Sequence, residues 1–395
     1  MPEPEMKVSV ISQSFVDERG IYKLEEALNW CAKIGGICYS TQNIDDILNE
    51  DIEKTTRRKN MTLNLGHHSI YEHAIVSLYI EGLPKILAMI LNNEHQYTTS
   101  ERSFRYTPAT KQIVNSYELD LYNKWMKIFF QTIKKEYNKY YTDKQIEKLS
   151  QENSRYLTSI FTKTQMIYTV NIRQLNYVAS WMEKYIELSQ QNLVDAPLNL
   201  VYYMQLFISQ LRAKNLLDDK LMKNEKNRQF SLFHNDNLTS LQTNVIGNNY
   251  STVYQASAAC LAQLQRHRTI NYEMDFTSNY FIPPIIENDE ALVKMWYDDI
   301  NSVEYPQGQL LQIKESGTID NLILRSKERS CINAQLEIRR KNLEILKNVY
   351  EELKKTDDKQ AKQLEQYIGV CRNCFPDYNC SVPCHHSKSL QKIKI

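Results

Sequence analysis

Glycine is scarce in this chain: 9 of 395 residues, about 2% where soluble proteins average about 7%. Neither G-x-G-x-x-G nor G-x-x-x-x-G-K-[ST] occurs, so the two common glycine-built phosphate cradles are excluded and any phosphate must be gripped by side chains. Long apolar runs are also missing. The nearest, Ile75 to Leu91, is interrupted by Glu81 and Lys85, which excludes an 18-residue membrane helix there. The N-terminal MPEPEMKVSV carries acids and prolines where a secretion signal needs a basic and then an apolar segment, so a cytoplasmic protein is expected. An excess of one charge is absent too. Forty-eight basic against 47 acidic residues leave a net charge of +1, which gives no field for binding nucleic acid or anionic lipid.

With 42% hydrophobic and 24% charged residues, the chain has the composition of a globular protein long enough for two or three cores. Its patterning predicts an α+β fold. Met6–Ser12 and Ala74–Glu81 read as strands. Helical spacing runs over 21–34, 83–91, 115–141, 143–168, 173–188 and 198–217. The charged stretch Leu217–Arg228 lacks an apolar face and reads as a linker. Beyond it, Phe230–Asn244 is strand-like, and helices are expected over 251–266, 289–303 and 331–367. Both halves run strand, helix, polar Arg/His/Tyr-rich segment, helix, which suggests an internal duplication.

Cys31, Cys38, Cys260 and Cys331 are scattered, as buried structural thiols are. Cys371, Cys374, Cys380 and Cys384 instead crowd into C-x2-C-x5-C-x3-C just before His385 and His386. In a reducing compartment such a knuckle reads as a structural zinc site, an iron–sulfur cluster being the alternative. The basic tail after it is a weak hint of nucleic acid, and no such partner is expected.

Four further clusters carry chemistry. Gly66-His67-His68-Ser69-Ile70-Tyr71-Glu72-His73 holds three histidines and a carboxylate; adjacent histidines do not by themselves converge on a metal, and a hydrogen-bonded loop is the plainer reading. Ser100 to Tyr106 and Gln263 to Arg268 pair arginines with hydroxyls and an amide, a set able to hold an anion bidentately. Taken singly, each is more often a solvated charged face. Arg329 with Ala334-Gln335-Leu336-Glu337-Ile338-Arg339 alone would be an ordinary charged helix.

Together the four resemble the flavin-dependent thymidylate synthase family. Gly66, His67, Ser69, Glu72 and His73 match its G-H-x-S-x-x-E-H loop, Cys38-Tyr39-Ser40 its C-Y-S element, and Glu101 with Ser103, Arg105 and Tyr106 the close of its defining motif. Arg155, sixteen residues before Asn171 in Thr169-Val170-Asn171-Ile172-Arg173, matches its mid-chain arginine and T-V-N-x-R. Residues 1–218 thus form one family-sized unit. That unit has Asn93-Glu94-His95 where Arg-His-Arg is expected, and it lacks the late R-x4-A-Q-x-E-I-R element. Residues 219–368 supply both, through Gln263, Arg266-His267-Arg268 and Arg329 with Ala334-Gln335 and Glu337-Ile338-Arg339, yet lack the histidine loop, S-x-R-Y and the mid-chain arginine. After Arg268 the acid comes one position early, at Glu273. Each half keeps what the other has lost.

The resemblance implies two tandem thymidylate synthase-like units plus the Cys-rich tail (369–395), and a homodimer rebuilding a pseudo-tetramer of four units. It implies FAD, reduced by NADPH, and transfer of a one-carbon unit from methylene-tetrahydrofolate to carbon 5 of a uracil nucleotide, dUMP first. Methylation or hydroxymethylation of another pyrimidine nucleotide is the alternative, as is a zinc-bearing, non-catalytic remnant that binds a partner or nucleic acid. The resemblance gives catalytic roles to Arg329 and Arg105 and nucleotide contacts to Gln263, Arg266, Ser103, Arg105, Tyr106, Arg155 and Arg329. Flavin contacts fall to His67, Ser69, Glu72, His73, Glu101, Asn171, Arg173, Arg266, His267 and Arg268.

Overall fold

The computed structural model describes the chain except residues 1–5, 105–106, 108–109, 111–112, 114, 195–196, 224–229, 234–237, 239–241, 332–333 and 370–395. It divides into two compact units, Met1–Arg102 with Lys163–Phe230 and Ser103–Thr162 with Ser231–Ile395. The chain opens the first unit with β1 (Lys7–Val10), α1 (Leu24–Ile34), α2 (Ile44–Leu48), α3 (Ile52–Asn64), a 3-10 turn over His68–His73, β2 (Ile75–Pro84), α4 (Lys85–Leu91) and β3 (Tyr97–Glu101). The second unit then receives α5 (Ser116–Tyr137), α6 (Asp143–Ser154) and a 3-10 turn over Arg155–Leu157. The first is completed by β4 (Lys163–Asn171), α7 (Ile172–Gln190), α8 (Leu198–Ala213) and α9 (Asp219–Met222). The second is completed by β5 (Thr243–Ile246), β6 (Asn249–Ser257), α10 (Ala258–Leu264), β7 (Asn271–Tyr280), α11 (Glu290–Asn301), β8 (Gln309–Thr318), α12 (Ile319–Arg329), α13 (Leu336–Thr356) and α14 (Asp358–Glu365).

In the first unit, the antiparallel sheet has the order β1-β2-β4-β3. Val76, Leu78 and Ile80 of β2 pair in register with Val170, Tyr168 and Met166 of β4. All six are buried, the alternation a half-covered strand requires. Asn171 closes β4 and starts α7: its backbone is still extended, and its Oδ1 accepts the Gln174 N–H at 2.7 Å. One side chain thus satisfies a donor that the helix cannot. From there α7 buries Leu175, Val178, Ala179 and Met182.

The second unit's sheet has the same order, β5-β6-β8-β7. Tyr250, Thr252 and Tyr254 of β6 pair with Gly317, Glu315 and Ile313 of β8, and Thr318 caps α12 through the Asn321 N–H at 3.2 Å. Residues 103–162 belong here because α5 carries Trp125 and Phe129 into a cluster with Trp296 and Ile300 of α11. The two indoles meet edge to face at 4.8 Å, and the Trp125 Nε1–H donates to Asp299 at 2.7 Å.

These units interleave along the chain, whereas the sequence suggests a division near residue 218. The reason is that apolar packing onto α11 holds α5. The expected helix over 143–168 stops at Ser154, and Lys163–Asn171 is a strand, since Thr164, Met166, Tyr168 and Val170 alternate into the core. Likewise, the helix expected from Ser251 begins at Ala258, after the alternately buried Tyr250, Thr252, Tyr254 and Ala256. Part of the expected linker, Asp219–Met222, is a helical turn capped by Asp218. Among the described residues no helix is long and apolar enough to cross a membrane.

Candidate functional site

The candidate residues gather into two sets, one in each unit. In the first unit the histidine loop leaves α3 through Gly66, whose φ of +72° is a left-handed conformation; nothing crowds its Cα, so backbone geometry alone selects glycine there. His68 is buried, its ring nitrogens engaged by the Tyr177 hydroxyl at 3.2 Å and the Leu63 carbonyl at 3.1 Å. It anchors the loop, while His67, Ser69 and His73 are left exposed. The Tyr39 hydroxyl lies 3.4 Å from His67 Nδ1, joining the C-Y-S element to the loop. Arg173, in the first turn of α7, donates to Glu72 and lies 5.1 Å over the Tyr177 ring. Glu101 is held by Lys85 Nζ and, at 3.3 Å, by Asn92 Nδ2. Among the described residues no group of metal-ligating side chains converges.

The second unit brings together residues that are far apart in sequence. Arg155, buried in the 3-10 turn after α6, donates through Nη2 to the Gln335 amide oxygen, which also accepts from Gln263 Nε2 at 2.5 Å. Gln335 Nε2 donates to the Tyr156 hydroxyl at 2.5 Å, and that hydroxyl donates to Glu337 at 2.8 Å. The mid-chain arginine, Q-x-x-R-H-R and A-Q-x-E-I-R thus meet inside one unit.

Arg266, His267 and Arg268 occupy the turn leaving α10. Arg266 is exposed with no side-chain hydrogen bond or ion pair among the described residues, and Arg268 is also exposed. His267 is largely buried, and its pKa is pushed down to about 3 by that burial and by the charges of Arg329 and Arg325. It is therefore neutral at physiological pH, and its 3.7 Å approach to Glu328 is no ion pair there. Two exposed guanidiniums in one turn, flanking a neutral imidazole in sequence, are the chemistry a diphosphate such as that of FAD needs: charge is supplied twice, and no glycine loop is required.

Beneath Arg329, one helical turn back on α12, Arg325 is wholly buried. It donates to Glu315 at 2.7 Å and to Asn342 at 3.2 Å. Glu315 accepts further from the Tyr250 and Tyr254 hydroxyls, each at 2.8 Å. Sequence reasoning assigned no role to Gln335, Glu337, Tyr156 or Arg325. The first two stand in the quoted A-Q-x-E-I-R run, which was the available signal. Ser103 begins the second unit, its carbonyl accepting from the Thr107 N–H at 3.1 Å. Arg105, Tyr106, Cys371, Cys374, Cys380 and Cys384 lie outside the described residues.

Residues 21–184 match the family model described as thymidylate synthase complementing protein. The flavin-dependent thymidylate synthase of Pyrococcus furiosus is 28% identical over 162 residues, 38% of this chain and 63% of that one. That of Pyrococcus abyssi is 25% identical over 162 residues with the same shares, and that of Clostridium tetani 27% over 161 residues, 36% and 65%. The chain therefore spans somewhat less than two thirds of these relatives. A solved structure, a UMP/dUMP methylase from Streptomyces cacaoi bound with 5-Br dUMP, aligns at 15% identity over 45% of this chain and 78% of that one. Its TM-score is 0.30, too low for a structural argument.

Proposed function

We propose that this chain methylates a uracil nucleotide at carbon 5, a reading supported by the match of residues 21–184 to the thymidylate synthase complementing protein model and by the similarity to flavin-dependent thymidylate synthases. The acceptor is dUMP, the carbon donor methylene-tetrahydrofolate and the reductant NADPH. The observation that carries the reading is the joining of Arg155, Gln263 and Gln335, one residue from each of three motifs, in a single buried hydrogen-bonded set. Such a meeting is expected where the motifs serve one ligand.

FAD, when bound, supplies the reducing equivalents that turn the transferred methylene into a methyl group. In the second unit Arg266 and Arg268 would hold a flavin diphosphate; in the first, His67, Ser69, His73 and Asn171 are the residues that would contact flavin. Arg155, Arg329 and Gln263 would bind the nucleotide, their cations and amide suited to its phosphate and to the uracil carbonyls, where negative charge builds as carbon 5 is made nucleophilic toward the incoming one-carbon unit. Ser103, Arg105 and Tyr106 complete the grip, Ser103 as a phosphate ligand and not a nucleophile. The four C-terminal cysteines, outside the described residues, would hold structural zinc through their thiolates.

The shared strand order and the polar cap that starts α7 and α12 alike support descent of both units from one ancestor. The split of motifs then follows from specialisation, and two chains pairing as a dimer supply four units. The experiment is direct. Purified protein is incubated with FAD, desalted and scanned for a flavin spectrum, then given NADPH, methylene-tetrahydrofolate and dUMP, and dTMP is measured. Bound flavin and dTMP are expected from the native chain, and no dTMP from Arg329→Ala. A colourless, inactive native protein, or an Arg329→Ala variant of normal activity, overturns the reading.

A further inference from the structure

Glu337 lies fully inside the second unit and holds three donors. Its Oε1 accepts the Ser257 backbone N–H at 2.7 Å; its Oε2 accepts the Ser257 hydroxyl at 2.7 Å and the Tyr156 hydroxyl at 2.8 Å. The directions are fixed by what each partner already does. Ser257 caps α10, accepting the Cys260 N–H at 3.0 Å, so its single proton is left for Glu337. Tyr156 gives its proton to Glu337, so its oxygen is left to accept from Gln335 Nε2. The Gln335 amide is thereby oriented with its NH2 toward Tyr156 and its oxygen toward Arg155 and Gln263, both donors. The turn that carries Tyr156 is itself pinned. Gly308 donates its N–H to the Tyr156 carbonyl at 2.8 Å, and a Cβ at Gly308 would lie 3.0 Å from the Tyr156 Cβ and 2.7 Å from Ile300.

We propose that Glu337 is a positioning residue: its carboxylate sets the polarity of a chain running through Tyr156 and Gln335 that aims Arg155 and Gln263 at the nucleotide. The proposal rests on the nucleotide reading above. An amide in place of Glu337 keeps the shape, but must still accept the Ser257 N–H, so its NH2 falls where Oε2 stood. Tyr156 then has no acceptor there and turns its proton toward Gln335. Gln335 must flip to receive it, which puts an NH2 against the Arg155 guanidinium, a group with donors only, while the Gln263 amide can turn its own oxygen inward. A single O-to-NH2 exchange thus becomes a donor-to-donor clash two residues away.

The test compares native protein, Glu337→Gln, Tyr156→Phe and the double variant, each loaded with FAD. Binding of dUMP is measured by calorimetry, turnover as KM and kcat, and flavin occupancy by absorbance. Each single variant is expected to weaken dUMP binding about tenfold, the effect of one unsatisfied buried donor. The change should appear in KM for dUMP with flavin occupancy kept, and the double variant should be no worse than either single, since both cut one chain. Additive losses, or native-like dUMP affinity in Glu337→Gln or Tyr156→Phe, overturn the relay while leaving the proposed activity standing. Native protein that binds no dUMP overturns the nucleotide reading instead.

Discussion

The two sheets share a strand order and a capped helix after the last strand of each in sequence, β4 and β8, yet their interiors are built from opposite chemistry. In the first unit Val76, Leu78, Ile80, Tyr168 and, seven residues past the Asn171 cap, Val178 are buried. At the matching places in the second stand Tyr250, Thr252, Tyr254, Glu315 and, seven residues past the Thr318 cap, Arg325. Topology therefore does not dictate an apolar interior. A fully buried ion pair carries a desolvation cost that its mutual attraction only roughly offsets, so stability alone gives it little reason to exist. Its position supplies one. Arg325 and Arg329 lie one turn apart on α12, and both push down the His267 pKa. Anchoring Arg325 to Glu315, itself held by the Tyr250 and Tyr254 hydroxyls, fixes the face that presents Arg329. The first unit has the buried Met182 where Arg329 stands, eleven residues past the cap, and keeps an apolar side chain, Val178, in the place of Arg325.

Breaking the pair is the strongest test of that contrast. Arg325→Leu strands the Glu315 carboxylate in the core and is expected to cost about 3–5 kcal/mol, measured by urea denaturation. Val178→Ala at the matching place removes only two methyls and should cost about 1–2 kcal/mol. Replacing Glu315 and Arg325 together by Leu, with both tyrosines changed to Phe, should recover most of the stability yet lose activity. If that apolar core stays active, the ion pair has no part in presenting Arg329.

Acid sharpens the same comparison, because the two units carry carboxylates shifted in opposite directions. Arg58 holds Glu50 in a paired contact at 2.5 and 2.8 Å, and chiefly for that reason its pKa falls from an ordinary 4.5 to about 2. A carboxyl depressed on folding stabilises above its unfolded value, and that contribution drains away as pH falls from about 4.5 through about 2. Burial instead raises Glu337, against the donors from Ser257 and Tyr156, so the folded state is relieved there as pH falls. Amide exchange followed by pH titration should show α3 loosening in the window between 4.5 and 2, and Glu50→Gln should remove that dependence. An α3 equally protected at pH 2 and 5 contradicts it.

The sequence made the histidine loop, the arginines and the split of motifs legible, because those rest on local residue identity. It also foretold α1, α7 and α8, whose apolar stripes are long. What it concealed depended on contacts made far along the chain. Trp125 and Phe129 look like any amphipathic helix until Trp296 arrives to claim them, so the interleaved units could not be seen. Thr164 to Tyr168 reads as the end of a helix until β2 pairs with it. Gln335 and Glu337 were visible as letters, but their work requires Tyr156 and Ser257, 179 and 80 residues away.

Asn171 offers the mildest test, and one that separates structure from chemistry. Its side chain caps α7 as Thr318 caps α12, and removing either cap by Ala substitution should cost about 1 kcal/mol. Were capping its whole task, Asn171→Ala and Thr318→Ala would be matched in every measurement. The proposed flavin contact adds a second task to Asn171 alone, since its amide has an NH2 still available after the Oδ1 has accepted the Gln174 N–H, whereas the Thr318 hydroxyl has no such group. Flavin retained after desalting should therefore fall in Asn171→Ala and hold in Thr318→Ala, at equal loss of thermal stability. Asn171→Ser, which keeps a capping oxygen but no NH2, should restore stability without restoring flavin. Equal flavin occupancy in all three variants makes Asn171 a helix cap only and moves the first unit's cofactor contacts back to the exposed His67, Ser69 and His73.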